Sequence, residues 1–327
     1  MIPHSKPDIG AEEIRAAARV LESGMLAQGR EVEAFEKECA AFLGRRHAVA
    51  ANSGTAALHL ALIALGIGEG DPVALPAYAC AALLQPVTWL RARPILRGIG
   101  PDLNLDADEA PESAKAVVPV HLFGKPGPVP YPARAVEDIA QSFGGPTGRR
   151  GHIAIVSFYA TKLLTTGEGG MLFTDDGAVA ELARDLRDYD NRDDFRARFA
   201  YKMTDFQAAM GRVQLKRLPE FIKRRRQVAA QYAQAFADLP LDVPDPEGHV
   251  FFRYVLRTPQ RDALQTHLAA RGVEAKRPVH RPLHHYTGET CASAEMAHNE
   301  CLSIPIYPAL TSQEVGNVIY SVQSFFE

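Results

Sequence analysis

The sequence predicts an α/β protein whose mostly parallel sheet, flanked by helices, is followed by a smaller C-terminal α+β domain. Between about residues 47 and 174, short apolar or β-branched runs alternate with longer Ala/Leu-rich segments, which is the pattern of parallel strands joined by helical crossovers. From about residue 205 this alternation ends, and a long helical segment precedes a strand of alternating polarity. The 327 residues leave room for about two domains. We place them at 1–215 and 216–327, with the N-terminal segment as a candidate to pack on the second.

The elements of the first domain follow from where each apolar run ends at a polar or Gly-rich turn. A helix is predicted over 55–65, ended by Gly66, and another over 79–91, where Pro86 interrupts the hydrogen-bond ladder. The predicted strands are 47–51, 72–75, 116–120, 133–137, 153–158 and 171–174.

The connection between the strands near residues 120 and 136 is exceptional. It has only about a dozen residues, which is too few for a covering helix. Its prolines, which also oppose a helix, are Pro126, Pro128, Pro130 and Pro132. We therefore expect this part of the sheet to be bare or covered by a partner.

The C-terminal part predicts a different arrangement. A long helix is expected over 205–237, interrupted at Pro219, and a proline-rich turn follows it. The segment 249–257 alternates as a strand does, and 261–271 reads as a helix ended by Gly272.

Charge and composition exclude several classes of function. Lys plus Arg number 36 against 39 Asp plus Glu, a net charge of −3, so nucleic acid is not an expected partner. No apolar run reaches the roughly 18–20 residues of a membrane span, and the N-terminus lacks the apolar stretch of a secretory signal. We expect a cytoplasmic protein without membrane association. The four cysteines have no C-x-x-C spacing and predict buried reduced thiols.

Polar residues directly follow two of the predicted strands. In open α/β sheets, ligands bind at the carboxyl ends of the strands. Residues 52–55, Asn-Ser-Gly-Thr, follow the first strand and open a helix, which suits a phosphate site. A simple N-cap explains the same pattern. Asp138 directly follows the strand 133–137, where an acidic residue is either a helix cap or a catalytic group.

Lys162 is the most informative single residue. It follows the strand 153–158 and precedes the Gly-rich loop 165–170. Desolvation at such a place lowers a lysine pKa and makes the amine nucleophilic, as forming a Schiff base with an aldehyde requires. Pyridoxal phosphate needs this lysine, an acid at its ring nitrogen and a phosphate cradle. Lys162, Asp138 and residues 53–55 supply all three in compatible places.

Five stretches, in order along nearly the whole chain, resemble the DegT/DnrJ/EryC1/StrS family of pyridoxal-phosphate-dependent sugar aminotransferases. They are SGTAALHLAL (53–62), VEDIAQSFGG (136–145), SFYATKLLTTGEGG (157–170), MTDFQAAMGRVQLKRL (203–218) and LSIPIYPALT (302–311). The resemblance implies the aspartate aminotransferase fold, or fold type I, with a seven-stranded sheet in the large domain. It also implies a homodimer whose active sites lie at the interface and are completed by the other chain.

The resemblance assigns a role to individual positions. It implies that Lys162 forms the Schiff base with the cofactor, that Asp138 pairs with the pyridinium N–H, and that Gln141 sits by the phenolic oxygen. The residues implied at the phosphate are Gly54, Thr55 and Ser157, and Ser53 is a further candidate to bind the cofactor.

Two positions depart from the family pattern. Cys80 stands where an aromatic ring normally stacks on the cofactor, which leaves open whether Tyr78 stacks instead. Lys202 stands where the family has Asn or Arg reaching the phosphate of the neighbouring subunit. A lysine there would supply a positive charge, but not the paired N–H donors of an arginine side chain. Lys162 itself is intact, which argues against the dehydratase branch, where histidine replaces the lysine.

The sequence thus predicts a pyridoxal-phosphate-dependent aminotransferase that transfers an amino group from L-glutamate to a keto-sugar, most simply a nucleotide-linked one. Two alternatives stay open. One is transamination of a cyclitol or another small carbonyl compound. The other is a non-catalytic protein that binds the cofactor or has a regulatory role.

Two charged clusters carry weaker signals. No carboxylate or cysteine at metal-ligand spacing accompanies His280, Arg281, His284 and His285, so we predict no metal site. Contacts to a nucleotide diphosphate or sugar and simple surface exposure both stay open for these side chains. The basic run 223–226 on a long helix predicts a solvated or interdomain face.

Overall fold

Seven strands form one mixed sheet in the structure, a computed structural model that describes residues 1–327. They are β1 (His47–Ala51), β2 (Pro72–Pro76), β3 (Arg93–Arg97), β4 (Ala116–Val117), β5 (Val136–Asp138), β6 (Ile153–Ser157) and β7 (Gly170–Thr174). Their order is β3-β2-β4-β5-β6-β7-β1, with parallel bridges joining the β4 and β5 segments. Because β7 alone runs antiparallel to its neighbours, the predicted mostly parallel sheet is confirmed.

Helices cover both faces of this sheet. They are α2 (Arg30–Leu43), α3 (Gly54–Ala64), α4 (Leu84–Trp89), α5 (Gly177–Leu186) and α6 (Asp205–Ala235). A further helix, α1 (Ala11–Ser23), packs on α6. On β7, Leu172 belongs to the core shared with α3, α4 and α5, whereas its neighbour Phe173 belongs to the core shared with α2 and α6. Both faces are therefore buried, which explains why the strands are apolar throughout rather than alternating.

A third core lies in the C-terminal part of the chain. It is built around the antiparallel pair β8 (Tyr254–Arg257) and β9 (Cys301–Ile304). The helices α7 (Arg261–Ala270) and α10 (Ser312–Phe326) pack on this pair. The two other helices of this part of the chain are α8 (His284–Thr287) and α9 (Ala292–Glu300), and Ala294 and Ala297 of α9 belong to the core that also holds Leu172. Ile2 joins this core and bridges to Val273. The boundary that we place at 215/216 falls inside α6 and stays a prediction.

Two C-terminal elements differ from expectation. The strand predicted over 249–257 forms only at Tyr254–Arg257, because Phe251 has a φ of 52°, a left-handed conformation that ends an extended run. The helix α6 runs without a break through Pro219. Pro219 removes a single backbone hydrogen bond, and buried Leu218 and Phe221 on either side hold the helix in place.

The helix predicted over 79–91 is also shorter than expected. A 3₁₀ turn at Ala81–Leu83 leads into α4. Pro86 lies in the first turn of α4, where backbone N–H groups have no intrahelical partner in any case, so the proline interrupts nothing.

The prediction of a bare or partner-covered sheet at the short crossover is wrong. Leu105 and Ala114 pack on β2 and β4 in a small apolar cluster, with Tyr131 against it. The Tyr131 hydroxyl donates to the Ala110 carbonyl at 3.2 Å. The chain thus covers this face with loops instead of a helix. None of the helices is both long and apolar enough to cross a membrane.

Candidate active site

A cavity of about 240 Å³ lies at the carboxyl ends of β5 and β6, beside the first turn of α3. Most of the residues predicted to bind the cofactor line it. They are Ser53, Gly54, Thr55, Cys80, Asp138, Gln141, Ser157 and Lys162. The structure therefore brings together side chains that are separated by up to about a hundred residues, as expected where parallel strands end at one edge of a sheet.

The Lys162 amine faces this cavity from the loop that follows β6. Its backbone N–H donates to the Tyr159 carbonyl at 2.9 Å, which fixes the turn. Burial lowers the pKa of the amine, although the nearby Cys80 and Asp138 oppose that effect. A lysine with a lowered pKa has a larger unprotonated fraction at neutral pH, and this is the nucleophilic form.

Asp138 ends β5 and is only 8% exposed. Its Oδ1 accepts a hydrogen bond from the Ala140 N–H at 2.8 Å, whereas Oδ2 has no hydrogen bond within the protein. Burial raises the pKa of the carboxyl, and the charge of Lys162 is among the opposing effects. A buried carboxylate with a free oxygen on a cavity wall fits a protonated ring nitrogen, which would supply the missing partner.

The neighbouring loop holds Gln141 in position. Its Oε1 accepts a hydrogen bond from the Phe123 N–H at 2.8 Å, which leaves the amide NH₂ as its free donor. Phe123 has a φ of 58°, so this backbone is held in a conformation that non-glycine residues rarely adopt. The arrangement suits an acceptor such as a phenolic oxygen in the cavity.

The first turn of α3 forms an anion cradle with Ser157. The Ser53 hydroxyl caps the Ala56 N–H at 3.1 Å, so the N-cap explanation is correct for its side chain, while the N–H groups of Gly54 and Thr55 have no backbone partner. A Cβ on Gly54 would lie 2.8 Å from the Cβ of Ser157, so only glycine keeps this space open. Free N–H groups at a helix N-terminus suit a phosphate. The cavity thus fits pyridoxal phosphate at each of its three requirements.

Tyr78 does not line the cavity. Its ring is buried and meets Phe123 edge-on at 6.3 Å, and its hydroxyl donates to the Ala297 carbonyl of α9 at 3.4 Å. Tyr78 therefore points into the core and is not available to stack on the cofactor.

The cysteines only partly match their predicted environment. All four are free, but only Cys39 and Cys301 are buried, while Cys291 is half-buried and Cys80 faces the cavity. Surrounding protein raises the pKa of the Cys80 thiol, with Lys162 opposing. The thiol is therefore neutral at physiological pH.

Lys202 does not line the cavity. Its Nζ donates to Asp188 Oδ1 and Asp190 Oδ2, both at 2.8 Å, and these carboxylates raise its pKa. The side chain is thus a cation held on the surface.

Arg253 is a charged neighbour of the cavity that the sequence patterns did not single out. Its guanidinium lies 4.6 Å from the centroid of the Phe252 ring, and the Lys162 Nζ lies 5.2 Å from the same centroid. The positive charge of Arg253 helps to lower the Lys162 pKa. The alternating segment around Arg253 suggested only a strand, so no local signal pointed to this role.

Comparisons with known proteins agree with this geometry. The model of the DegT/DnrJ/EryC1/StrS aminotransferase family matches residues 7–323. GDP-perosamine synthase of Caulobacter vibrioides is 36% identical over an alignment that covers 89% of this chain and 89% of that protein. DesV of S. venezuelae, solved in complex with a ketimine intermediate, is 34% identical with a TM-score of 0.90. The match covers 97% of this chain and 95% of the DesV chain. NtdA of Bacillus subtilis, solved with bound cofactor PMP, is 26% identical with a TM-score of 0.91. The match covers 97% of this chain and 83% of the NtdA chain.

Proposed function

This chain belongs to the DegT/DnrJ/EryC1/StrS aminotransferase family, and from that premise we propose that it transfers an amino group from L-glutamate to a nucleotide-linked keto-sugar. The predictions of the family, the fold class, the enzyme class and pyridoxal phosphate as cofactor are confirmed. The identity of the two substrates is the proposed part.

The observation that carries the proposal is the placement of Lys162 and Asp138 in one cavity beside the α3 anion cradle. When bound, the cofactor supplies an aldehyde that reacts with amines and a ring that withdraws electrons from the substrate carbon. Lys162 Nζ is the amine positioned to meet that aldehyde. Once free, it is also the base that can take and return the proton at the substrate carbon. Asp138 Oδ2 is positioned to hold the proton on the ring nitrogen.

A keto-sugar acceptor is supported by the relatives rather than by the cavity alone. The relative that matches most of the chain at 36% identity is named for the synthesis of a GDP-linked product. The cavity is lined by both polar and apolar residues, which suits a ligand with hydroxyl groups and hydrophobic ring faces.

Assembly and location complete the proposal. We propose a cytoplasmic homodimer in which Lys202 reaches the phosphate held by the α3 cradle of the partner. Its present partners, Asp188 and Asp190, have side chains that are 23% and 50% exposed. Exposed ion pairs contribute little stability, so a desolvated phosphate would compete well for this ammonium.

A single-turnover experiment tests the amino donor. Cofactor-loaded protein is mixed with L-glutamate and no acceptor, and the 2-oxoglutarate formed is measured after rapid quenching. We expect one equivalent per active site from the wild-type protein and none from Lys162→Ala. A wild-type protein that forms no 2-oxoglutarate would favour a non-catalytic protein or another donor, and a panel of amino acids separates those two outcomes.

A second experiment identifies the acceptor. The enzyme and glutamate are incubated with a set of nucleotide-linked keto-sugars and, for comparison, with keto-cyclitols and small ketones. Mass spectrometry of the products reports amination directly. Turnover confined to the free cyclitols or ketones would overturn the nucleotide-sugar proposal and leave the donor half-reaction intact.

A further inference from the structure

Three side chains with metal-ligand atoms meet in the C-terminal part, outside the cofactor cavity. His284 and His285 of α8 and Glu295 of α9 each place one such atom within 4.8 Å of the other two. His284 Nε2 lies 3.0 Å and His285 Nε2 2.6 Å from the same carboxylate oxygen, Glu295 Oε2. We propose that these residues bind one divalent metal ion, with Zn²⁺ as the ion that best fits the donor set.

The sequence pattern concealed this group. His284 and His285 are adjacent in sequence, but no carboxylate stands at metal-ligand spacing beside them. The turn between α8 and α9 brings Glu295 back over both imidazoles. The structure therefore supplies the acidic ligand whose absence led us to predict no metal site.

Each imidazole presents its Nε2 atom to Glu295, so Nε2 is the nitrogen available to a metal ion. An imidazole that binds a metal through Nε2 keeps its proton on Nδ1. His284 Nδ1 has no hydrogen-bond partner, so binding an ion at Nε2 breaks no existing contact of that atom.

The donor set and its exposure suit Zn²⁺. Two imidazole nitrogens and one carboxylate oxygen are typical zinc ligands, with the fourth position filled by water. Mg²⁺ and Ca²⁺ prefer sites built of oxygen alone. The His284 side chain is 4% exposed and that of Glu295 is 44% exposed, so the group is anchored on one side and open to solvent on the other.

One further contact orients Glu295 as a ligand. Asn299 Nδ2 donates to the other carboxylate oxygen, Glu295 Oε1, at 3.2 Å. Outer partners of metal ligands hold a carboxylate in the same way.

The position of the group indicates a structural role for the ion. The Leu283 N–H, just before α8, donates to the Ala77 carbonyl at 2.8 Å, and Tyr78 bonds to the Ala297 carbonyl of α9. Both ligand-bearing helices thus contact the segment that leads from β2 to Cys80. An ion joining α8 to α9 would stabilise this wall of the cofactor cavity.

Zinc binding is measured on the cofactor-loaded protein after removal of metals with a chelator. Competition with a chromophoric chelator gives the Kd and the number of ions bound. We expect one tight Zn²⁺ per chain in the wild type and in the control His280→Ala, an exposed histidine of the same segment. In His285→Ala and Glu295→Gln the Kd should rise at least about 100-fold, since even the loss of an outer partner costs 10- to 100-fold.

Two results would overturn the proposal. One is a wild-type protein that binds no more zinc than His285→Ala does, and the other is unchanged affinity in Glu295→Gln. Melting temperature and cofactor absorbance show whether each variant is folded. If the variants do not fold, anomalous diffraction at the zinc edge from soaked wild-type crystals decides. A peak about 2.0–2.2 Å from the three ligand atoms supports the site, and the lack of one there rejects it.

Discussion

His121 Nε2 donates a hydrogen bond to Glu137 Oε2 at 2.9 Å, and both side chains are fully buried. The His121 Nδ1 accepts from the Gly127 N–H at 2.9 Å, so the proton lies on Nε2. The His121 backbone N–H also donates to the Asp138 carbonyl at 3.1 Å. This pair therefore fixes the crossover loop to β5 immediately beside Asp138.

We expect Glu137→Gln to lower the melting temperature and to weaken cofactor binding. Burial alone raises the pKa of a carboxyl, but the hydrogen bonds of His121 and Gly151 bring that of Glu137 to about 2. A glutamine cannot accept from all of the N–H groups that Glu137 binds, which include those of Gly148 and Gly151, and each buried donor left without a partner costs about 1–3 kcal/mol. Calorimetry on the variant measures the loss. His280→Ala, which changes an exposed residue, is the control and should melt as the wild type does.

The same pair predicts how stability depends on pH. Because the folded pKa of Glu137 is about 2 and the usual value is 4.5, the stabilisation is complete above about pH 4.5 and is lost as the pH falls through 2. The shift corresponds to about 3 kcal/mol. Denaturant unfolding between pH 6 and pH 3 should show a decline that is shallower in Glu137→Gln. An identical decline in both proteins would contradict the assignment.

We expect Asp138→Asn to slow the glutamate half-reaction by about 100-fold or more, because the charge that stabilises the protonated ring nitrogen is removed. Cofactor affinity should change much less, since the phosphate is held by the α3 cradle. Rapid-quench measurements and equilibrium dialysis report the two quantities separately. An unchanged half-reaction would reduce Asp138 to its role as an acceptor for the Ala140 N–H.

We expect Gly54→Ala to weaken cofactor binding about tenfold or more, because its Cβ would crowd Ser157 at 2.8 Å and overpacking costs about 1–3 kcal/mol. Gly316→Ala is a matched control on α10, where a Cβ meets nothing within 4 Å. The control should bind the cofactor normally. Equal affinity in Gly54→Ala and the wild type would mean that the phosphate lies elsewhere.

Subunit mixing tests the role of Lys202 across the interface. Lys162→Ala and Lys202→Glu should each be inactive alone, whereas a mixed dimer rebuilds one site with both native lysines. We therefore expect activity to return when the two variants exchange subunits. Full activity of Lys202→Glu on its own, or a competent monomer in sedimentation, would contradict the proposal.

The position of the cavity could be predicted because the residues that line it, such as Lys162, Asp138 and Gly54, come shortly after the ends of strands. Strand ends are local features that both the sequence motifs and the hydrophobic periodicity indicate. The orientation of Tyr78 was beyond such reasoning, because it depends on packing against Ala297, more than two hundred residues away. The ends of the strand predicted at 249–257 depended on one left-handed residue, which has no signature in an apolar run.

The uninterrupted helix α6 has a mechanical consequence. Its 31 residues form a rod about 46 Å long. Leu218 of this helix packs in the core beneath the sheet, and Tyr232 of the same helix packs in the C-terminal core. Because one uninterrupted helix packs into both cores, these cores can move apart only if the helix bends. We therefore expect a bulky substrate to enter by local movement at the mouth of the cavity, which the exposed Tyr159 lines.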